Sequence, residues 1–358
     1  MSGAGEGTLA ARFRRLIAQS GPIGLGQYMG EANARYYASR DPLGAGGDFI
    51  TAPEISQMFG ELLGLWLADM WVRAGRPEPV LYVELGPGRG TLARDALRAM
   101  AQAGLRPEVH FVEGSDALRH AQNRAVPEAR QHHDLSTVPE GAPILLVANE
   151  FFDALPVRQL VRTPDGWRER MVASEGERFV CVAGNLPMDA AIPEGRREAE
   201  VGTILETCPA AAAVMREVAA RLVGQGGAAL IADYGHASPR TGSTLQAVRA
   251  HRKVDPFVNP GEADLTAHVD FAALAEVARA GGARWLGTQP QGAFLRALGI
   301  EARAEALARA APGKAQELRQ AVERLTAPEQ MGDLFKVAGL AAPGWPQGAG
   351  FAGVAEAQ

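Results

Sequence analysis

Residues 80–92 (VLYVELGPGRGTL) constrain the fold of this chain more than any other segment. The first six are hydrophobic except for Glu84, and such a run is typical of a central parallel strand that is buried on both faces. Three glycines follow, Gly86, Gly88 and Gly90, and their missing Cβ atoms let a ligand approach the backbone before the next helix begins. This order of strand, glycine-rich turn and helix predicts a cofactor site of the nucleotide-binding type, although a tight turn without a ligand has the same local pattern.

The type of cofactor depends on Glu84, which lies two residues before the first glycine. The spacing is Gly-x-Gly-x-Gly, and Thr91 stands where a dinucleotide fingerprint has its third glycine. A dinucleotide brings its pyrophosphate to the N-terminus of the helix, where a neighbouring carboxylate would repel it. S-adenosylmethionine carries no phosphate, but it has a cationic amino group and a sulfonium. The acid therefore favours S-adenosylmethionine, and an NAD-linked oxidoreductase is the less favoured alternative.

Glu113 indicates a site for an adenosine ribose. It ends the second predicted strand, residues 108–113, and an acid at this place in doubly wound folds often accepts hydrogen bonds from both ribose hydroxyls. NAD enzymes share this feature, so Glu113 does not distinguish the two cofactors. Asp134, which follows a short third segment, is a candidate contact of the adenine amino group.

Strands alternate with helices from residue 80 onward, which predicts a parallel sheet with right-handed crossovers. The predicted fold class is α/β, a doubly wound Rossmann-like sheet of seven strands with a helical N-terminal region and inserted subdomains. Strands near 283–288 and 334–337 are expected to close the sheet as an antiparallel pair. The predicted regions are a helical and lid region at 1–78, the core at 79–156 and 207–236, an antiparallel meander at 157–206, a substrate-side helical insertion at 237–330 whose strand near 283–288 belongs to the core, and a terminal strand and tail at 331–358.

Polar residues follow the fourth and fifth strands of this pattern, where doubly wound sheets bind their ligands. Asn149, Glu150 and Asp153 come after the fourth strand, and Asp233 and Tyr234 end the fifth. Two carboxylates three residues apart are suited to hold a guanidinium and to orient one of its nitrogens. The structural alternative is a turn cap at the acid and a buried tyrosine with a satisfied hydroxyl.

His268 is a candidate base, with a structural hydrogen-bonding role as the alternative. Asp270 is expected to cap a helix that starts near Phe271.

The segment 44–57 combines several glycines with Phe49, a pattern that suits a lid hinge carrying an aromatic ring. Thr51 or Ser56 is expected to cap the helix that follows.

Composition argues against several classes of protein. The net charge is −5 and no cluster of Lys and Arg stands out, so nucleic acid is not an expected partner. The two cysteines lack metal-ligand spacing, and His132 and His133 would point to opposite faces of a strand, so no metal is expected. The N-terminus does not have the pattern of a secretion signal, and the most apolar helix, 58–72, is too short to span a bilayer. We therefore expect a cytoplasmic chain without membrane insertion.

Together these motifs resemble the MidA family of class I S-adenosylmethionine-dependent methyltransferases, whose mitochondrial members are complex I assembly factors. The segments that carry the resemblance are GGDFITAPEISQMFGE at 46–61, ELGPGRGTL at 84–92, NEFFDALP at 149–156, ADYGH at 232–236, DLTAHVDF at 264–271, QGAFL at 291–295 and LFKV at 334–337. They cover nearly the whole chain, and the first and third strings are specific to the family.

The resemblance implies a protein methyltransferase that N-methylates an arginine of a respiratory complex I subunit or its homologue, with the mitochondrial matrix as the location of eukaryotic relatives. The expected catalytic residues are Asn149, Glu150, Asp153, Asp233, Tyr234 and His268. The expected cofactor-binding residues are Thr51, Glu84, Gly86, Pro87, Gly88, Gly90, Leu92, Glu113, Ser115, Asp134, Leu135 and Asn149. A non-catalytic assembly chaperone that retains the cofactor fold is the alternative, and a dimer is among the oligomeric states left open.

Overall fold

The computed structural model describes residues 7–39, 50–249 and 252–351 of the chain. These residues form two compact units. The sheet unit contains the described residues of 41–152, 213–238 and 269–358. The meander unit contains those of 1–40, 153–212 and 239–268. Each unit is therefore assembled from three segments that are distant in sequence.

Eleven α-helices occur in the described residues, and none of them is long and apolar enough to cross a membrane. The helices are α1 (Leu9–Ser20), α2 (Leu25–Ser39), α3 (Ala52–Ile55), α4 (Gln57–Arg73), α5 (Thr91–Gln102), α6 (Asp116–Ala125), α7 (Pro209–Gln225), α8 (Phe271–Ala280), α9 (Gln291–Ala297), α10 (Ile300–Ala310) and α11 (Ala315–Thr326). Short 3-10 turns lie at Leu135–Thr137, Asp189–Ala191, Glu194–Arg196 and Pro312–Lys314, and a π turn lies at Pro328–Gly332.

Sixteen strands occur in the same residues. They are β1 (Ile23–Gly24), β2 (Leu81–Leu85), β3 (Glu108–Val112), β4 (Arg130–His132), β5 (Ile144–Asn149), β6 (Arg158–Thr163), β7 (Gly166–Glu175), β8 (Arg178–Pro187), β9 (Ile204–Thr207), β10 (Gly227–His236), β11 (Gln246–Arg249), β12 (Arg252–Val254), β13 (Asp264–Thr266), β14 (Val269–Asp270), β15 (Arg284–Pro290) and β16 (Phe335–Ala341).

A sheet in the order β4–β3–β2–β5–β10–β16–β15 forms the centre of the sheet unit. The strands from β4 to β10 pair in parallel, and β16 pairs antiparallel with both β10 and β15. The short strand β14 pairs with the end of β10. The predicted doubly wound sheet of seven strands is confirmed, including its antiparallel closure. The chain leaves β2 toward one edge and returns at β5 on the other side, which places the topological switch point between these two strands.

Burial in the core of the sheet unit shows which of the N-terminal helices pack in it. Every residue of β2 and β5 is buried. Helix α4 can lie close to α5 because Gly64 has no Cβ atom. A Cβ atom at this position would lie only 2.5 Å from the carbonyl oxygen of Ala96. Since α4 is apolar around most of its surface, it joins this core, whereas α1 and α2 pack in the core of the meander unit. The structure thus divides the region predicted at 1–78 between the two units.

The meander unit has a core of its own. Its larger sheet has the order β1–β7–β6–β9 with β8 on β7, and its smaller sheet has the order β12–β11–β13. Strands β6, β7 and β8 lie in the segment where the antiparallel meander was predicted. The rings of Phe13, Tyr28 and Phe179 contact one another at centroid distances of 4.9 to 6.1 Å. This apolar cluster joins the N-terminal helices to strands from both of the predicted insertions.

Candidate functional site

The carboxyl ends of β4, β3, β2, β5 and β10 meet at one edge of the sheet because these strands run parallel. Beyond β2 the chain turns through Gly86, Gly88 and Gly90, whose φ angles are 63°, 55° and 79°. The amide of Gly90 donates to the carbonyl oxygen of Pro87 at 2.8 Å. A Cβ atom on Gly86 would lie 2.9 Å from Cδ2 of Phe151. Gly86 therefore makes room for the ring of Phe151, two residues after β5, and this packing reason adds to the ligand access expected from the sequence.

Glu84 is a buried carboxyl near the end of β2, with 2% of its surface exposed. The hydroxyl of Tyr82 donates a 2.7 Å hydrogen bond to its Oε2. Burial raises the pKa of Glu84 from its usual 4.5 to about 7, and the bond from Tyr82 opposes that rise. Leu92 is buried in the first turn of α5. The Glu84 carboxyl is therefore poised to lose its proton when a cation binds beside it.

Glu113 is oriented by the chain around it. Its Oε1 accepts from the amide of Ser115 at 2.8 Å, and its Oε2 accepts from Nε2 of Gln122 at 3.2 Å. The same nitrogen of Gln122 donates to the carbonyl oxygen of Gly88 at 2.9 Å, so Gln122 joins the glycine turn to Glu113. Burial raises the pKa of Glu113, and these bonds oppose the rise. Gln122 was not predicted from the sequence, where its one signal is its place on the buried face of α6 one turn after Leu118.

Asp134 and Leu135 follow β4. Oδ1 of Asp134 accepts from the amide of Ser136 at 2.8 Å, which caps the turn Leu135–Thr137 and lowers the pKa of Asp134. Asp134 is exposed, whereas Leu135 is buried. Asp134 thus has a structural role as a cap, and its contact with an adenine amino group stays a prediction.

Asn149 and Glu150 lie where β5 ends. Asn149 is more than nine-tenths buried, and its Oδ1 accepts no hydrogen bond from any residue that the structure describes. Glu150 has a φ angle of 49°, a left-handed value that costs a residue with a side chain about 1–3 kcal/mol. Its amide donates to the carbonyl oxygen of Ala232 at 2.9 Å, which holds this conformation in place. Strained residues of this kind cluster at functional sites.

Asp233 supports the turn after β5. Its Oδ2 accepts from the amides of Phe151 and Phe152 at 3.2 and 3.0 Å, and its Oδ1 accepts from the amide of Tyr234 at 3.0 Å. The ring of Tyr234 packs edge-on against Phe335, with centroids 5.4 Å apart. These contacts make Asp233 a positioning residue for the backbone beside Glu150, and direct catalytic roles for Asp233 and Tyr234 stay predictions.

The segment after residue 50 packs against the glycine turn. The hydroxyl of Thr91 donates to Oε1 of Glu54 at 2.6 Å. The amide of Ala52 lies 3.4 Å from Oε1 of Glu150. Thr51 therefore lies beside the predicted cofactor site, directly before a helix that touches both the turn and the strained acid.

Two of the predicted helix caps are present. Ser56 accepts from the amide of Met58 at the start of α4, and Asp270 accepts from the amide of Ala273 at the start of α8. Thr51 precedes α3 without a side-chain cap bond. The glycines and Phe49 of the predicted lid, residues 44–49, lie outside the described residues.

Asp153 and His268 belong to the meander unit. The carbonyl oxygen of Asp153 accepts from the amide of Ala267 at 2.9 Å, and its side chain is buried. The amide of His268 donates to Oγ1 of Thr244 at 2.8 Å. The six predicted catalytic residues are thus divided, because the other four lie in the sheet unit.

Comparison with known proteins shows to which family the chain is similar. A model of S-adenosyl-L-methionine-dependent methyltransferases matches residues 62–289. The mitochondrial protein arginine methyltransferase NDUFAF7 of Mus musculus is 39% identical to this chain, and the match covers 89% of this chain and 81% of that protein. The homolog of Drosophila melanogaster is 38% identical to this chain, and the match covers 93% of this chain and 84% of that protein. The crystal structure of a COG1565 superfamily member from Burkholderia thailandensis bound to S-adenosyl-homocysteine superposes with a TM-score of 0.81 at 32% identity, covering 93% of this chain and 91% of that one.

Proposed function

This chain belongs to the family of S-adenosyl-L-methionine-dependent methyltransferases, and we propose that it methylates arginine side chains of a protein. The membership confirms the family resemblance, the cofactor and the kind of enzyme that the sequence predicted. It also decides against an NAD-linked oxidoreductase. The arginine acceptor is proposed from the curated relatives, which are named protein arginine methyltransferases and match 89% and 93% of this chain.

The groups at the sheet edge fit this cofactor, which supplies an electrophilic methyl group on a sulfonium when it is bound. The buried carboxyl of Glu84 suits a cationic amino group. The carboxyl of Glu113, aligned by Gln122, suits a pair of ribose hydroxyls. Oδ1 of Asn149 is a buried acceptor for which the described residues offer no donor. We propose that these groups, with the glycine turn, form the cofactor site.

The position of the Glu150 carboxyl is the structural observation that supports the arginine proposal. A strained acid is held beside the switch point, where ligands of doubly wound sheets bind. A carboxylate can accept two N–H groups of a guanidinium, fix its plane and take the proton that the methylated nitrogen loses. Asp153, three residues later, is proposed to act on the same acceptor, and His268 is a proposed base.

The partner and the compartment are parts of the same proposal. The family resemblance supports a complex I subunit, or its homologue, as the protein substrate. Cys181 and Cys208 are free, which suits a reducing cytoplasm.

Substitution of the two acids tests the proposal. Glu150→Gln and Asp153→Asn should each lower methyl transfer on the order of 100-fold, because alignment of the acceptor supplies most of the rate. Affinity for S-adenosylhomocysteine should stay at the wild-type value. Labelled methyl incorporation into a complex I subunit homologue, located by mass spectrometry, measures the rate, and calorimetry measures the affinity. Glu128→Gln, at an exposed position, is the matched control.

Three results would count against this proposal. A wild-type rate in either variant would make that residue structural. Loss of S-adenosylhomocysteine binding in both variants would assign the acids to the cofactor. If the wild-type protein binds S-adenosylhomocysteine but methylates no arginine, the assembly-chaperone alternative gains support.

A further inference from the structure

The segment 263–268, which contains β13, has two faces of opposite chemistry. Its odd-numbered residues pack in the apolar core of the meander unit. The even-numbered residues Asp264, Thr266 and His268 alternate with them and project from the other face. Asp264 and Thr266 are only 5% and 3% exposed, so this polar face is buried. Buried polar groups need hydrogen-bond partners, and the face therefore requires polar groups to cover it.

The hydroxyl of Thr266 points to a ligand on this face. Its Oγ1 is buried and has no hydrogen-bond partner among the residues that the structure describes. A threonine hydroxyl offers one donor and two acceptor sites, and burying it without a partner is unfavourable. Because Thr266 and Asp264 project from the same side of the same strand, one ligand with several N–H groups can reach both.

Asn33 holds the polar face against two other segments of the meander unit. Its Nδ2 donates to the carbonyl oxygens of Leu265 and Ala154 at 2.7 and 3.1 Å. Its Oδ1 accepts from the amide of Leu265 at 2.9 Å. One buried side chain therefore joins α2, β13 and the residue that follows Asp153, and this fixes the geometry of the face.

Tyr37 lies one turn after Asn33 on α2 and reaches the same face. Its hydroxyl is hydrogen-bonded to Asp264. Burial, and then the negative charges of Asp264 and Asp153, raise the pKa of Tyr37 well above its usual value, so the phenol keeps its proton and donates it. Tyr37 thereby orients one of two buried carboxylates, and both lie close enough to act on it together.

We propose that Asp264, Thr266 and Asp153 bind the guanidinium of an arginine of the protein substrate, with Tyr37 as the residue that orients Asp264. A guanidinium has five N–H donors in one plane and is weakly hydrated, whereas an ammonium is a compact, strongly hydrated charge. No group of three His, Cys, Asp or Glu side chains among the described residues is placed to hold a metal ion. The inference rests on the proposed function and adds a contact with the protein substrate within the meander unit.

Titration with an analogue of the arginine side chain tests this site without catalysis. Ethylguanidinium is titrated into the full chain with S-adenosylhomocysteine present, and n-butylammonium is the comparison cation. Ethylguanidinium should bind about tenfold more tightly than butylammonium. Asp264→Asn should weaken its binding by about 10- to 100-fold, and Thr266→Val by about 3- to 10-fold. Thr207→Val, the same change at an exposed residue of β9, should have no effect.

Affinity for S-adenosylhomocysteine shows whether each variant is folded, and Tyr37→Phe replaces Asp264→Asn if the latter unfolds. The site is overturned if Thr266→Val and Asp264→Asn (or its replacement Tyr37→Phe) both bind ethylguanidinium with wild-type affinity. It is also overturned if the wild-type chain does not bind ethylguanidinium. Methyl transfer is scored separately. If the variants methylate arginine with the KM and kcat of the wild-type protein, the site is overturned and the proposed function stands. If the substitutions weaken the binding of ethylguanidinium but the wild-type protein methylates no arginine, the site is supported and the proposed function is overturned.

Discussion

The sheet unit and the meander unit build their polar sites in different ways. In the sheet unit, acids and a glycine turn follow directly after parallel strands, and the sheet brings their ends together. In the meander unit, the polar face of β13 is completed by α2, and Asn33 bonds to Leu265 across 232 positions of sequence. A local motif can therefore indicate the first site, whereas the second exists only after distant segments have packed. Substitutions in each unit test this difference.

Gly88→Val should have the largest effect and should act on the sheet unit alone. A branched side chain at a φ angle of 55° would fill the turn that is the proposed cofactor site, and affinity for S-adenosylhomocysteine should fall on the order of 100-fold. Calorimetry measures the change. Gly176→Val, at a φ angle of 61° in the meander unit, introduces similar strain away from the turn. An equal loss of affinity in both variants would show that general strain, and not the cofactor turn, is responsible.

Asn33→Ala should act on the meander unit alone. It removes three hydrogen bonds, two of them buried and one partly buried, and should lower the free energy of unfolding of α2 and β13 by about 2–3 kcal/mol. Hydrogen exchange measures this loss element by element, with Asn123→Ala, on an exposed part of α6, as the control. An equal loss of protection in β2 and β5 would mean that the two units unfold as one, and the comparison would fail.

Glu113→Ala should weaken S-adenosylhomocysteine binding by about 10- to 100-fold, because it removes charge-assisted hydrogen bonds. Gln122→Met should weaken it by about 3- to 10-fold, because it frees Glu113 and the carbonyl oxygen of Gly88. If Gln122 acts by orienting Glu113, its substitution should add little in the Glu113→Ala background. Full additivity in this double-mutant cycle would contradict that positioning role.

Glu84 should make cofactor binding depend on pH. Its pKa of about 7 means that the carboxyl of the free protein is mostly protonated at pH 6 and mostly ionised at pH 8. Affinity for S-adenosylhomocysteine should therefore be about tenfold higher at pH 8, and Glu84→Gln should remove this dependence.

The same pKa predicts a change in stability of the free protein. Since the pKa is raised on folding, the folded state holds the proton more tightly, and the free energy of unfolding should fall as pH rises from about 4.5 through about 7. Chemical denaturation across this range measures the fall. A fall of the same size in Glu84→Gln would assign it to another group.

The glycine turn at Gly86 was predicted correctly from the sequence, but only part of the physical reason for this glycine was predicted. The glycine was expected to admit a ligand, and the structure adds that it admits the ring of Phe151. Gln122 could not be singled out, because a buried glutamine on an amphipathic helix looks like an exposed one until its neighbours are known. Asp233 was predicted from its place at a strand end, whereas its bonds to two amides after β5 depend on the pairing of β5 with β10.

The sequence by itself determined the sheet, its glycine turn and the acids at its strand ends, because strand burial, helix caps and turn chemistry are local and repeat with a fixed period. Only the tertiary structure decided which segments share a unit. It placed α4 with the sheet, and it placed α1, α2 and the meander with β13. It also turned Asp264 and Thr266 into a buried polar face. Packing between segments far apart in the chain depends on the shapes of whole surfaces, and no short pattern of residues encodes those surfaces.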